Sequence, residues 1–106
     1  MMCKATRDGL SALKPGDRPF VLSRSGYAGI QRCAAVWSGD NMSWWEHLAK
    51  SIRMMLNLGL SGIPFCGADI GGFGDHCTPE LLIRWYALGT FYPPFRNHCS
   101  MHGASQ

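Results

Sequence analysis

The sequence has no run of five or more like charges, which removes the usual electrostatic footprint of a nucleic-acid-binding surface. Its ten basic residues are scattered from Lys4 to Arg96, and the formal net charge is only +3. No apolar stretch approaches the length needed to cross a bilayer, so no membrane partner is expected. The first seven residues, Met1 to Arg7, also lack the apolar core of a signal peptide. No C-x-x-C pair occurs. The five cysteines, Cys3, Cys33, Cys66, Cys77 and Cys99, are odd in number and isolated, which points to a reducing, cytoplasmic compartment. His76-Cys77 and His98-Cys99 are adjacent pairs, but structural zinc ligands come two to four residues apart and twice over. No metal site is therefore expected, and a small Cys/His metal-binding module is the weakest of the alternatives.

What is present is a globular composition, 46% hydrophobic and 16% charged. Thirteen glycines and four tryptophans are many for 106 residues. Glycine permits close backbone approach and positive φ, and tryptophan offers a flat apolar surface on which a ligand can stack.

The pattern along the chain is α/β. Residues 2–13 read as a helix stopped by Pro15-Gly16. Residues 19–23, 34–37 and 63–66 are short apolar runs, as expected of strands buried on both faces. Ser43 and Glu46 have capping-box spacing for a helix whose apolar stripe is Trp45, Leu48, Ile52 and Met55. Its opposite face carries Glu46, Lys50, Arg53 and Asn57. A further helix opens at Thr78-Pro79-Glu80, with threonine as N-cap, and runs through Leu81, Leu82, Trp85 and Leu88 to about Gly89. Strands alternating with helices imply a parallel sheet. Arg24, Asp40 and Asp69 follow the three strands in turn, and C-terminal strand ends are where such folds carry their chemistry. A closed (β/α)₈ barrel takes about 250 residues, so three strands make only part of one.

Trp37-Ser38-Gly39-Asp40-Asn41 is the most informative segment. A glycine before the aspartate lets the chain turn off the strand, and a neighbouring tryptophan can shelter a carboxyl and keep it protonated as a general acid. Taken alone, the same residues also fit a turn in which Asp40 caps the next helix. The loop Gly67-Ala68-Asp69-Ile70-Gly71-Gly72-Phe73 is glycine-rich, yet G-x-G-x-x-G and the Walker lysine are both missing, so nucleotide binding is not expected.

Residues 18–25, 37–41, 67–73 and 95–98 occur in an order that closely resembles family 31 of the glycoside hydrolases, the α-glucosidase and α-xylosidase family. The resemblance covers the chain from about residue 4 to its end. It implies a piece of a (β/α)₈ TIM barrel, about three consecutive βα units, the fifth to seventh, with residues 1–106 forming one catalytic-barrel fragment and no second domain. It implies hydrolysis of α-glycosidic bonds with retention, on a carbohydrate substrate and without cofactor. Asp40 matches the acid/base, Arg24, Asp69 and His98 match sugar-binding positions, and Trp37 and Phe73 match aromatic positions lining the pocket. Cys33, Arg53 and Pro94 depart from the family's pattern. Retaining enzymes need a second carboxylate about 5 Å from the first. The family's nucleophile motif, Trp-x-Asp-Met-Asn-Glu, does not occur in these residues, so the chain alone is expected to be inactive and to self-associate. A truncated, non-catalytic α/β fragment is the alternative.

Overall fold

A computed structural model describes residues 1–103 and Gln106. Helix α1 (Met2–Leu13) leads into strand β1 (Leu22–Ser23), then a 3₁₀ turn (Ile30–Arg32) and β2 (Ala35–Trp37). Helix α2 (Trp45–Leu60), β3 (Cys66–Gly67), β4 (Asp69–Ile70), α3 (Pro79–Gly89) and β5 (Arg96–Asn97) follow. All strand pairs are parallel: β1 with β2, β2 with β3, and β4 with β5. Only Ala68 separates β3 from β4, so Cys66–Ile70 acts as one strand that changes partner midway. Its first half pairs with β2 (Trp37 opposite Gly67), and its second half with β5 (Asp69 opposite Arg96).

Four parallel strand positions therefore stand side by side, where the apolar runs announced three. The missed one, Arg96–Asn97, is polar and follows Pro93-Pro94, so neither hydrophobicity nor propensity marks it. Asp69 accordingly lies inside a strand and not after one. The first connection also departs from strict alternation, since a 3₁₀ turn and not an α-helix joins β1 to β2. The strands start later than the apolar runs, at Leu22 and Cys66, and Phe20 and Phe65 just before them are exposed and pack edge to face on each other.

Side chains of Cys66, Ala68 and Ile70, at every second position, join Met55, Leu81, Trp85 and Tyr92 in the buried core. Thr78 caps α3 as read, its hydroxyl accepting from the Leu81 N–H at 3.3 Å, and Pro79 takes the first turn. The capping box of α2 is not formed. That helix starts at Trp45 with no side-chain cap, while Ser43 is buried and its hydroxyl turns to the Asp75 carbonyl at 3.4 Å. The α2 stripe is also displaced: Met55 is buried and Leu48 packs on the core, but Trp45 and Ile52 are exposed. Ser51 is buried instead, satisfied by the Leu48 carbonyl and the Tyr92 hydroxyl. The polar face, Glu46, Lys50, Arg53 and Asn57, is exposed as expected.

The core lies between the strands and α2 and α3, so only one face of the sheet is covered well. The Cα radius of gyration is 14.9 Å, against about 13 Å for a compact domain of this size. β1 and β5 each have one strand neighbour among the described residues. Phe20, Leu56, Leu60, Ile83 and Phe91 are exposed. Open parallel edges and large exposed apolar side chains recruit other chains. The 106-residue chain is therefore expected to elute broadly in size exclusion, above its monomer mass. A sharp monomer peak with a cooperative thermal transition would contradict this.

Candidate active site

Three contacts gather the six residues singled out in the sequence. Arg24 directly follows β1 and pairs with Asp40, Nη1 to Oδ1, at 3.1 Å. Both side chains are about half exposed. Asp40 hangs off the end of β2 because Gly39 adopts φ 83°, and a Cβ at Gly39 would lie 3.1 Å from the Arg24 guanidinium. The shelter expected from Trp37 is not what surrounds Asp40: the partner resolved at its carboxylate is Arg24. Trp37 instead packs under Arg96, whose Cζ lies 5.0 Å from the centre of the indole.

Asp69 is the most buried charged residue, 1% exposed. It lies on the opposite side of its strand from Cys66, Ala68 and Ile70, away from the helices. Arg96 holds its Oδ1 with two N–H groups, Nε at 3.0 Å and Nη2 as well. Burial pushes the Asp69 carboxyl above its ordinary value; Arg96 and His98 pull it down, and Asp40 adds to the rise. Oδ2 of Asp69, Nε1 of Trp37 and Oδ1 of Asn41 are buried and have no hydrogen-bond partner among the described residues.

Phe73 and His98 form the third contact, their rings 5.3 Å apart and tilted by 33°. Phe73 belongs to the loop after β4, and His98 directly follows β5. Arg96 is the residue that sequence reasoning passed over. It stands in the quoted run Phe95 to His98, and the signal available was a buried aspartate that required a cationic partner.

The Asp40 loop is docked along the loop that follows Asp69. Asn41 donates from Nδ2 to the Asp69 carbonyl at 3.0 Å, and its own carbonyl accepts from Phe73 N–H at 2.6 Å and Gly74 N–H at 3.1 Å. Ser43 N–H donates to the Gly74 carbonyl at 2.8 Å. Gly72 makes this approach possible: its φ is 91°, and a Cβ there would sit 2.5 Å from the Ser43 nitrogen. Pro94, one of the departures from the family pattern, lies against Gly67, where an added Cβ would be 2.9 Å away.

Among the described residues no three His, Cys, Asp or Glu side chains gather in a way that could hold a metal ion. The five cysteines are free thiols. No helix is long and apolar enough to cross a membrane.

Comparison with known proteins agrees with this geometry. Residues 1–106 match the glycosyl hydrolases family 31 TIM-barrel domain. The chain is 56% identical over 101 residues to alpha-glucosidase 2 of Bacillus thermoamyloliquefaciens, covering 95% of this chain and 13% of that protein. A solved glucosidase II alpha subunit in its Glc1Man2-bound form superposes with a TM-score of 0.93 at 46% identity, over 98% of this chain and 12% of the other. The ER glucosidase II heterodimeric complex gives 0.91 at 46%, with coverages of 98% and 12%. The chain thus spans about an eighth of these relatives. It belongs to the glycosyl hydrolases family 31 TIM-barrel domain.

Proposed function

We propose that this chain supplies the acid/base half of a retaining α-glucosidase site. The observation that carries the reading is the Trp37–Arg96–Asp69 stack, in which the buried atoms Asp69 Oδ2 and Trp37 Nε1 have no hydrogen-bond partner among the described residues. Buried polar atoms without partners are rare in folded proteins, and sugar hydroxyls can both donate to a carboxylate oxygen and accept from an indole N–H. In this reading the strands are the fifth to seventh of the barrel, with Arg96–Asn97 the next.

Asp40 protonates the glycosidic oxygen as the bond breaks, then takes a proton from the attacking water in the second step. Arg24, Asp69 and His98 hydrogen-bond the sugar, and Trp37 and Phe73 line its pocket. The nucleophilic carboxylate comes from outside these residues, since Asp69, the buried acid among the described residues, is committed to Arg96. The reaction as proposed uses no metal or organic cofactor. The substrate is an α-glucoside or a related carbohydrate, with neither nucleic acid nor membrane as partner. A cytoplasmic location rests on the free cysteines alone, and the neighbour described as an ER complex lends it no support.

Asp40→Asn in the full-length protein is expected to slow turnover of an unactivated α-glucoside by roughly a hundred- to ten-thousand-fold. A substrate with an excellent leaving group needs no proton for departure and should still glycosylate the enzyme detectably. Wild-type rates on both substrates would remove Asp40 from the mechanism.

Arg24→Ala and His98→Ala should each lower kcat/KM by roughly ten- to a hundredfold, the worth of one charged hydrogen bond to a sugar hydroxyl. Both side chains are exposed, so melting temperature should barely move. A mutant that loses stability and keeps kcat/KM would make that residue structural.

Asp69 generates a pH prediction. Its raised carboxyl holds a proton in the folded state at pH values where the unfolded chain has already released it. The native state then binds more protons, so stability falls as pH rises from the ordinary aspartate value of 3.8 through the raised value, and levels off above it. Asp69→Asn does not titrate. The melting temperature of the wild type minus that of Asp69→Asn should therefore decline with rising pH across this window, and a flat or rising difference would refute it.

A further inference from the structure

The loop that carries Asp40 has one more tether, at Met42. His47, in the first turn of α2, accepts the backbone N–H of Met42 through Nδ1 at 2.9 Å. Its ring lies edge-on to Trp44, centroids 5.3 Å apart, and the Trp44 indole is itself anchored on Asp75 Oδ2 at 2.8 Å. His47 shares a cavity of about 160 Å³ with Asp40, Asn41, Lys50 and Ser51. Met42 is only two residues beyond Asp40, and it precedes the Ser43 N–H that docks on Gly74. The His47 contact thus closes the far end of the acid/base loop.

An imidazole nitrogen accepts only while it carries no proton. The Met42 bond therefore fixes the neutral ring with its proton on Nε2. Asp40 and Lys50 line the same cavity, and Asp75 from the loop after β4 holds the Trp44 indole beside the ring.

We propose that His47 is a positioning residue for the acid/base loop: its Nδ1 fixes the Asp40 loop through Met42. The tie to catalysis rests on the glycosidase reading; the contact itself does not. Asparagine keeps an acceptor, because its amide oxygen takes the place of Nδ1, whereas alanine removes it.

The experiment is amide-resolved hydrogen exchange on the full-length protein, wild type, His47→Asn and His47→Ala. Rates are corrected for intrinsic exchange. The Met42 amide should lose about tenfold in protection in His47→Ala relative to the wild type, the scale of one hydrogen bond. His47→Asn should keep most of that protection, while the Leu82 N–H in α3, bonded to the Thr78 carbonyl at 2.9 Å, stays protected in all three proteins. Equal Met42 protection in all three proteins would overturn the proposal. So would His47→Asn behaving like His47→Ala, or loss of Leu82 protection together with Met42. Measuring kcat/KM on an activated α-glucoside in the same wild-type sample distinguishes the two readings. The expected Met42 pattern without turnover would defeat the glycosidase reading and leave the tether standing.

Discussion

A carboxylate cannot sit inside a strand, 1% exposed, without a cation beside it, and the pairing of Asp69 with Arg96 is the constraint on which the site depends. Desolvation alone would expel the charge or keep it protonated. Arg96 counters this by placing two N–H groups on one oxygen, which leaves the other free. The same pair fixes register, since Asp69 lies opposite Arg96 where β4 meets β5. It also sets the neighbour on the far side, because the guanidinium that serves Asp69 rests on the face of Trp37 from β2. One ion pair thus ties together three of the adjacent parallel strands.

That arrangement explains why Cys66–Ile70 changes partner at Ala68. Residues 66, 68 and 70 supply the core under α2 and α3, whereas Asp69 faces the other side, where the polar chemistry gathers. The Asp40 loop is then positioned through main-chain groups: Asn41 grips the Asp69 carbonyl with its side chain and two amides of the following loop with its own carbonyl, and Gly72 leaves the space for it. Asp40 therefore inherits its position from Asp69 through the chain that joins them.

The helices were legible in the sequence where local chemistry decides the outcome. Pro15-Gly16 ends α1, and Thr78-Pro79 starts α3, each through contacts within a few residues. The reading of α2 failed where tertiary contact overrides local pattern. Ser43 had the spacing of a cap but was drawn to Asp75, thirty-two residues away. Trp45 and Ile52 fit the apolar stripe but meet no covering element among the described residues, while buried Ser51 is satisfied by Tyr92. Arg96–Asn97 was invisible as a strand because its residues are polar and its stability comes from pairing with Asp69–Ile70. Of the site, the sequence named residues that the fold brings to neighbouring strand ends, but not Arg96, which joins Trp37 to Asp69. Sequence order placed Trp37 beside Asp40, whereas strand geometry turns it toward Arg96.

In the proposed function Arg24, Asp40, Asp69 and His98 surround a single sugar ring. A crystal structure of the full-length protein soaked with an α-glucoside, in an Asp40→Asn background that slows its breakdown, tests this. Asp69 Oδ2, the Arg24 guanidinium and the His98 ring are expected within about 3.5 Å of oxygens on one sugar, with residue 40 against the glycosidic oxygen. A sugar bound away from these strand ends, or one that leaves Asp69 Oδ2 without a partner, would contradict it.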